Sequence, residues 1–471
     1  MLFNSLEFVV FFVVVLALYS VLNHSRQNAL LLAASYLFYG AWDYRFLALL
    51  IGTTVVDYAV ALAIDRRSDP LARRRILMFS IVANLGVLGI FKYFNFFADS
   101  LVDFAGLFGL TVSPVTLNIV LPVGVSFYTF QSMAYTIDVY RGHLKPCRRL
   151  PDFALYVTFF PQLVAGPIER ATHLLPQVYA RRIVTADKIG AGLSLIALGF
   201  FKKVVMADNL APTVNEIFAK QGGFTAEEVL VGALFFAFQI YGDFSGYTDI
   251  ARGTSRLLGF ELMDNFREPY FARNPSDFWQ RWHISLSSWL RDYLYISLGG
   301  NRGGRLATYR NLMLTMLLGG LWHGAAWNFV WWGLYHGALL VGYRFYEERA
   351  GARSTAARSW LGGVLQIAVM FGFTLYGWLL FRATSGAQIV EMTLALGHFE
   401  SLRYLARELV TLAFFAWPVV LLDYLRFRGG YPETALLRAP MAVQALTYAG
   451  FMLMFFVMGR YEGASFIYFQ F

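Results

Sequence analysis

Long apolar blocks recur along the 471-residue chain, separated by short basic or aromatic-polar stretches. A membrane-crossing helix needs about 20 mostly apolar residues. Blocks near that size fall at 8–22, 28–42, 46–64, 76 to about 91 and 115–137. Later ones fall at 153–164, 190–201, 229–241, 312–343, 360–381, 410–422 and 441–458. The 312–343 block is too long for one crossing and predicts two segments. The pattern predicts an all-α, polytopic membrane protein with roughly 10 to 13 spans. No polar stretch is long enough to bury a core of its own, so residues 1–471 read as a single integral membrane domain.

One region departs from simple blocks. YGDFSGYTDIARG (241–253) and NPSDFWQRWHISLSSWLRDYLYISLGG (274–300) mix aromatic, charged and glycine residues. They are too polar for ordinary spans and too apolar for exposed loops. Short amphipathic and re-entrant helices buried in protein are expected there, because irregular backbone at membrane depth must be covered or line a wet cavity.

Composition narrows the class. The chain is 58% hydrophobic and 15% charged, against about 25% charged in soluble domains. The net charge of +9 is concentrated between the blocks, as expected for cytoplasmic loops and anionic lipid rather than nucleic acid. No Lys or Arg precedes the first block, and Glu7 sits where a signal peptide would be positive. A retained first span with a periplasmic N-terminus is expected. The basic loops 66–75 and 141–149 then both fall on the cytoplasmic face. The one cysteine, Cys147, allows no disulfide framework and reads as a spectator thiol.

Seven histidines carry the candidate chemistry. His24, His143, His173 and His398 lie in or beside loops or block ends and read as solvated or interfacial. His323 sits in LLGGLWHGAAWNFVWWG (317–333), a stretch with no other ionisable residue. An ionisable side chain at membrane depth is expensive and is a functional candidate by default. Gly319, Gly320, Gly324, Ala325 and Ala326 leave room for close approach, and Trp322, Trp327, Trp331 and Trp332 could wall a slot. A histidine in such a slot suits general-base work. His283, in RWHISLSSWLRD, has charged sequence neighbours Arg281, Arg291 and Asp292, and reads equally as a second catalytic histidine or as a structural one. His336 is expected to pack. No metal signature, P-loop or serine-nucleophile motif occurs, so direct transfer with a histidine base is the simplest enzymatic expectation.

At these residues the sequence resembles the membrane-bound O-acyltransferase family. The likeness rests on LPVGVSFYTFQ (121–131), FFPQLVAGPIER (159–170), GFFKKVVMADNLA (199–211), YGDFSGYTDIARG, NFREPYFARNPSDFWQRWHISLSSWLRDYLYISLGGNR and GGLWHGAAWNFVWWGLYHG (319–337). Ser297 stands where that pattern has proline. The bacterial branch that acetylates exported polysaccharides such as alginate looks nearer than the D-alanyl branch. The resemblance implies a ring of tilted helices around a thin core and a central tunnel. It places the key histidine on His323 and the second on His283. Trp322, Gly324, Trp327, Arg281 and Asp292 are the expected substrate-binding residues.

It further implies an O-acetyltransferase of the bacterial inner membrane, taking the acyl group from a cytoplasmic thioester. That donor is acetyl-CoA or an acyl carrier protein, with no bound cofactor. An extracytoplasmic acetyltransferase protein is the expected partner. The rival reading is a transporter or flippase for an acylated carrier or lipid.

Overall fold

The computed structural model describes residues 1–471 apart from 2, 114, 119, 165, 351–358, 430–438, 461–465 and 468–471, and the side chain of residue 350. The described residues form helices and connecting turns, with no strand among them. Seven of the helices are long and apolar enough to cross a membrane. The roughly 10 to 13 spans expected would need shorter apolar helices such as Leu6–Val21 to cross as well. The chain divides into two compact units, one of residues 1–189 with 254–263 and one of residues 190–253 with 264–471.

In the first unit the apolar blocks fold largely where the pattern puts them, and polar residues set the ends. Ser5 accepts the Phe8 amide to start the Leu6–Val21 helix, and Asn23 accepts the Arg26 amide to start His24–Gly40. Asp69 caps Pro70–Leu88, with Pro70 in the first turn where its missing N–H costs nothing. The Leu47–Asp65, Pro70–Leu88 and Val125–Arg141 helices pack around the fully buried Asp57. Its carboxylate accepts from Ser80, Ser132 and the Asn84 amide, the last at 3.0 Å to each oxygen. Hydrogen bonds to a charged group contribute about 1.5–3 kcal/mol each, which offsets much of the cost of burying it.

Two expected spans are corrected here. The 115–137 block becomes helical only from Val125, because Gly124 takes a left-handed turn (φ 73°) and Pro122 lacks an amide hydrogen just before it. Val115 and Val120 lie exposed in irregular chain. The 153–164 block breaks at Phe159 into Leu150–Thr158 and Phe160–Leu163. A nine-residue helix is only about 14 Å long, half the hydrocarbon thickness.

The second unit corrects a third expectation. Residues 241–253 are not separate short helices. They are the far half of one 32-residue helix, Ala226–Leu257. Glycines let it meet the 186–219 helix backbone to backbone: a Cβ on Gly246 would lie 2.7 Å from the Gly199 carbonyl, and one on Gly253 2.5 Å from the Gly192 carbonyl. Its Asp243 and Asp249 are answered by that same neighbour. Lys202 meets Asp249 at 2.7 Å, and Lys203 meets Asp208 at 2.8 Å and Asp243 at 2.7 Å. Polarity that looked unfit for a span is therefore internal to a helix pair. Residues 274–300 do fold as expected, into the short helices Pro275–Arg281 and Ile284–Trp289 followed by a widened π-type turn, Leu290–Tyr295.

Candidate active site

The expected division of the 312–343 block is a helical hairpin. The first helix, Arg305–His323, ends on the histidine because Gly324 is extended (φ −161°, ψ 153°). The chain turns through 324–326 and returns as Trp327–Ala350. Small residues set how closely the two helices approach. A Cβ on Gly320 would lie 2.2 Å from the Phe329 carbonyl oxygen, one on Gly333 2.5 Å from the Met316 carbonyl, and one on Gly324 2.0 Å from the Phe329 ring. Such small-residue contacts are how helices associate in lipid, where apolar side chains gain nothing by leaving the solvent.

His323 is thereby held in a buried pocket of rings. Its centroid lies 5.1 Å from Trp322, 5.0 Å from Trp332 and 5.3 Å from Phe381, each edge-on. Trp322 and Trp332 are buried, but Trp327 and Trp331 are 54% and 51% exposed. They share a helix face that turns outward, so two of the four tryptophans wall the pocket and two do not.

His283 lies between the Pro275–Arg281 and Ile284–Trp289 helices in the left-handed region (φ 44°, ψ 54°). For a residue with a side chain that conformation costs about 1–3 kcal/mol and persists only where the surroundings over-determine it. Here they do. Trp282 stacks on Phe278 (5.9 Å, 9°) and Tyr270 (6.2 Å, 21°). The chain at 265–267 pairs with 281–284, Ile284 N–H donating to Asn265 O at 2.9 Å and Arg267 N–H to Arg281 O at 2.9 Å. The fully buried imidazole of His283 meets Phe244 at 4.7 Å, Trp322 at 5.8 Å and His323 at 6.4 Å, centre to centre. Its Nδ1 is 3.1 Å from the Asn265 side-chain oxygen.

The structure thus brings together His283, His323 and Trp322, with Gly324 as the turn that ends the helix beneath them. It does not bring Arg281 or Asp292 to the histidines. Arg281 pairs with Asp277 at 2.6 Å and Glu268 at 3.7 Å, and Asp292 pairs with the exposed Arg291 at 2.7 Å. The charged setting inferred for His283 from its sequence neighbours is replaced by rings and an amide, because the left-handed turn at 283 separates its side chain from theirs. His336 packs as expected, stacked on Phe278 at 6.0 Å (9°) and 4.7 Å from Trp332. Beside the hairpin, a cavity of about 360 Å³ is lined by Ser276, Gln280, Ser287, Arg291 and Thr315 among apolar residues. Sequence reasoning missed Asn265, Phe244 and Phe381. Asn265 stands inside a quoted motif, but its role depends on a contact across eighteen residues that spacing does not reveal.

A helical chain of many apolar spans, with two histidines buried near each other among aromatic rings, defines an integral membrane protein with a candidate site for proton transfer. The model of the membrane-bound O-acyltransferase family matches residues 147–384, and the chain belongs to that family. Both histidines fall within the match. The probable alginate O-acetylase of Pseudomonas aeruginosa is 45% identical over 385 residues, covering 81% of this chain and 72% of that one. The peptidoglycan O-acetyltransferase of Helicobacter pylori is 37% identical over 418 residues, covering 81% and 77%. The teichoic acid D-alanyltransferase of Bacillus subtilis is 27% identical over 277 residues, covering 56% and 69%. The chain is a multi-pass membrane O-acyltransferase.

Proposed function

We propose that this enzyme passes an acetyl group from a cytoplasmic thioester, acetyl-CoA or an acyl carrier protein, across the bacterial inner membrane for O-acetylation of an exported polysaccharide such as alginate. In this reading the N-terminus is periplasmic and an extracytoplasmic acetyltransferase completes the transfer. The identity to relatives named for alginate and peptidoglycan acetylation supports an acetyl donor and a polymer destination. The hydroxyls and amide lining the 360 Å³ cavity suit the amide-rich arm of a thioester donor.

The observation that carries the mechanism is the pair of buried histidines 6.4 Å apart. His323 takes the proton of the acceptor hydroxyl as its oxygen attacks the thioester carbonyl. The carbon–sulfur bond then breaks, and the electron pair leaves on the thiolate. Trp322 and the backbone around Gly324 stand where they could donate to the developing oxyanion. A second contact at His283 fits the same acceptor, given the short distance between the rings. Family membership favours this over a flippase, and purified protein should also hydrolyse the donor thioester slowly, which a flippase would not.

The test is transfer from labelled thioester in purified membranes. Losing a positioned general base costs about 10²- to 10⁴-fold in rate. His323→Gln and His323→Ala should lose that much while the protein accumulates and still binds donor. Transfer by His323→Gln near the wild-type rate would show that this histidine is not the base.

A further inference from the structure

One side chain from an earlier segment hydrogen-bonds to both His283 and Ser285. The Asn265 side-chain oxygen accepts from the Ser285 amide at 3.2 Å and from the Ser285 hydroxyl at 2.9 Å, and lies 3.1 Å from His283 Nδ1. Asn265 is itself 1% exposed. A backbone N–H can only donate, so the Ser285 amide fixes which end of the carboxamide is oxygen. An oxygen with no hydrogen can only accept from His283 as well. With the Ser285 hydroxyl donating to Asn265 at 2.9 Å rather than to Nδ1 at 3.5 Å, a neutral imidazole carries its proton on Nδ1 and its lone pair on Nε2. The carboxamide nitrogen is turned the other way, 3.5 Å from Thr248 Oγ1.

Resting on the reading of the histidine pair as the transfer site, we propose that Asn265 is a positioning residue for the reaction: it locks His283 in the Nδ1–H tautomer, so that Nε2 accepts the one hydrogen of the acceptor hydroxyl as it docks and yields it to His323, the base, as the oxygen attacks. This is the logic of any catalytic histidine oriented by a third group, achieved here with a neutral amide. A carboxylate in that place would favour the imidazolium, which has no lone pair to offer. The side chains against the His283 ring are Phe244, Asn265, Ser285, Trp322 and His323. Of these, His323 is titratable.

The experiment measures acetyl transfer against pH for wild type, Asn265→Asp and Asn265→Ala in purified membranes, beside donor binding. Asn265→Asp keeps the size and an accepting oxygen but places a charge on Nδ1–H. It should move the acid limb of kcat/KM upward by about one pH unit or more, since opposite charge at this range shifts a pKa by that amount. Asn265→Ala should lower kcat at least about tenfold with the KM for donor little changed. A packing role alone would move neither the limb nor the split between kcat and KM. An unshifted profile in Asn265→Asp, or wild-type kcat in Asn265→Ala, overturns the proposal.

Where a variant fails to accumulate, ¹⁵N-histidine spectra of the wild-type protein decide, with His283 assigned by its loss in His283→Gln. Protonation at Nδ1 supports the proposal, and protonation at Nε2 overturns it. Wild-type transfer by both His283→Ala and His323→Gln would instead sink the reading of the pair as the transfer site. Inactive histidine variants beside an unaffected Asn265 series would sink only the positioning role.

Discussion

Glu169 shows how much one side chain can hold. It is fully buried, accepts the Met263 amide and takes the Nδ1 of half-exposed His173 at 2.7 Å. The hydrogen bond to Glu169 raises the His173 pKa above its ordinary value. A raised value in the folded state means tighter proton binding than in the unfolded chain. The added stability is complete below about pH 6.5 and is lost as pH rises through the raised value. His173→Ala should therefore cost more stability at about pH 5.5 than at about pH 8.5, read by thermal unfolding in detergent; an equal loss at both would refute the linkage. His283 is its counterpart in the proposed site. His283→Ala should impair acyl transfer strongly while the helices fold, and near wild-type transfer would make the residue structural. The sequence singled out His323 as an ionisable residue among apolar ones, and His283 by its charged neighbours and the family pattern. It could not choose the partners of His283, because a left-handed residue redirects the side chain in a way that neighbours in sequence do not record.

Among elements, the glycine-lined hairpin around His323 is the most demanding. Gly320 and Gly333 each face opposing backbone at distances no real Cβ shows, so the helices would have to part to admit a methyl group. Overpacking of this kind costs about 1–3 kcal/mol and would move the His323 ring among its neighbours. Gly320→Ala should lower both thermal stability and transfer. Gly342→Ala, on the same hairpin with nothing within 4 Å of its Cβ, should leave both unchanged. Equal behaviour of the two variants would mean that close approach is not what positions His323. The hairpin was readable from the length of its block and its run of small residues. The 226–257 helix was not, since a hydropathy pattern scores Asp243, Asp249 and Arg252 as isolated charges. The cost of the two aspartates depends on Lys202 and Lys203, some forty residues away, and a window that short cannot include both halves of the account.

At the scale of the whole molecule the orientation remains to be measured, and Cys147 makes that simple, because the one native cysteine is 2% exposed. Cysteines introduced in the loops 66–75 and 141–149 should react with an impermeant reagent only after the membrane is opened; reaction in intact cells would invert the topology. The ion pairs between the 186–219 and 226–257 helices also have a consequence for how the protein is made. Each unpaired charge at the bilayer centre costs about 2.5–3.5 kcal/mol on the insertion scale. The earlier helix leaves the ribosome with Lys202, Lys203 and Asp208 in its middle, and the later one brings Asp243 and Asp249. A nascent chain halted after residue 225 would therefore stay at the insertion machinery or be cleared by proteolysis. Release into lipid is then expected only once both helices are made, so that synthesis of the second would act as a checkpoint on the first.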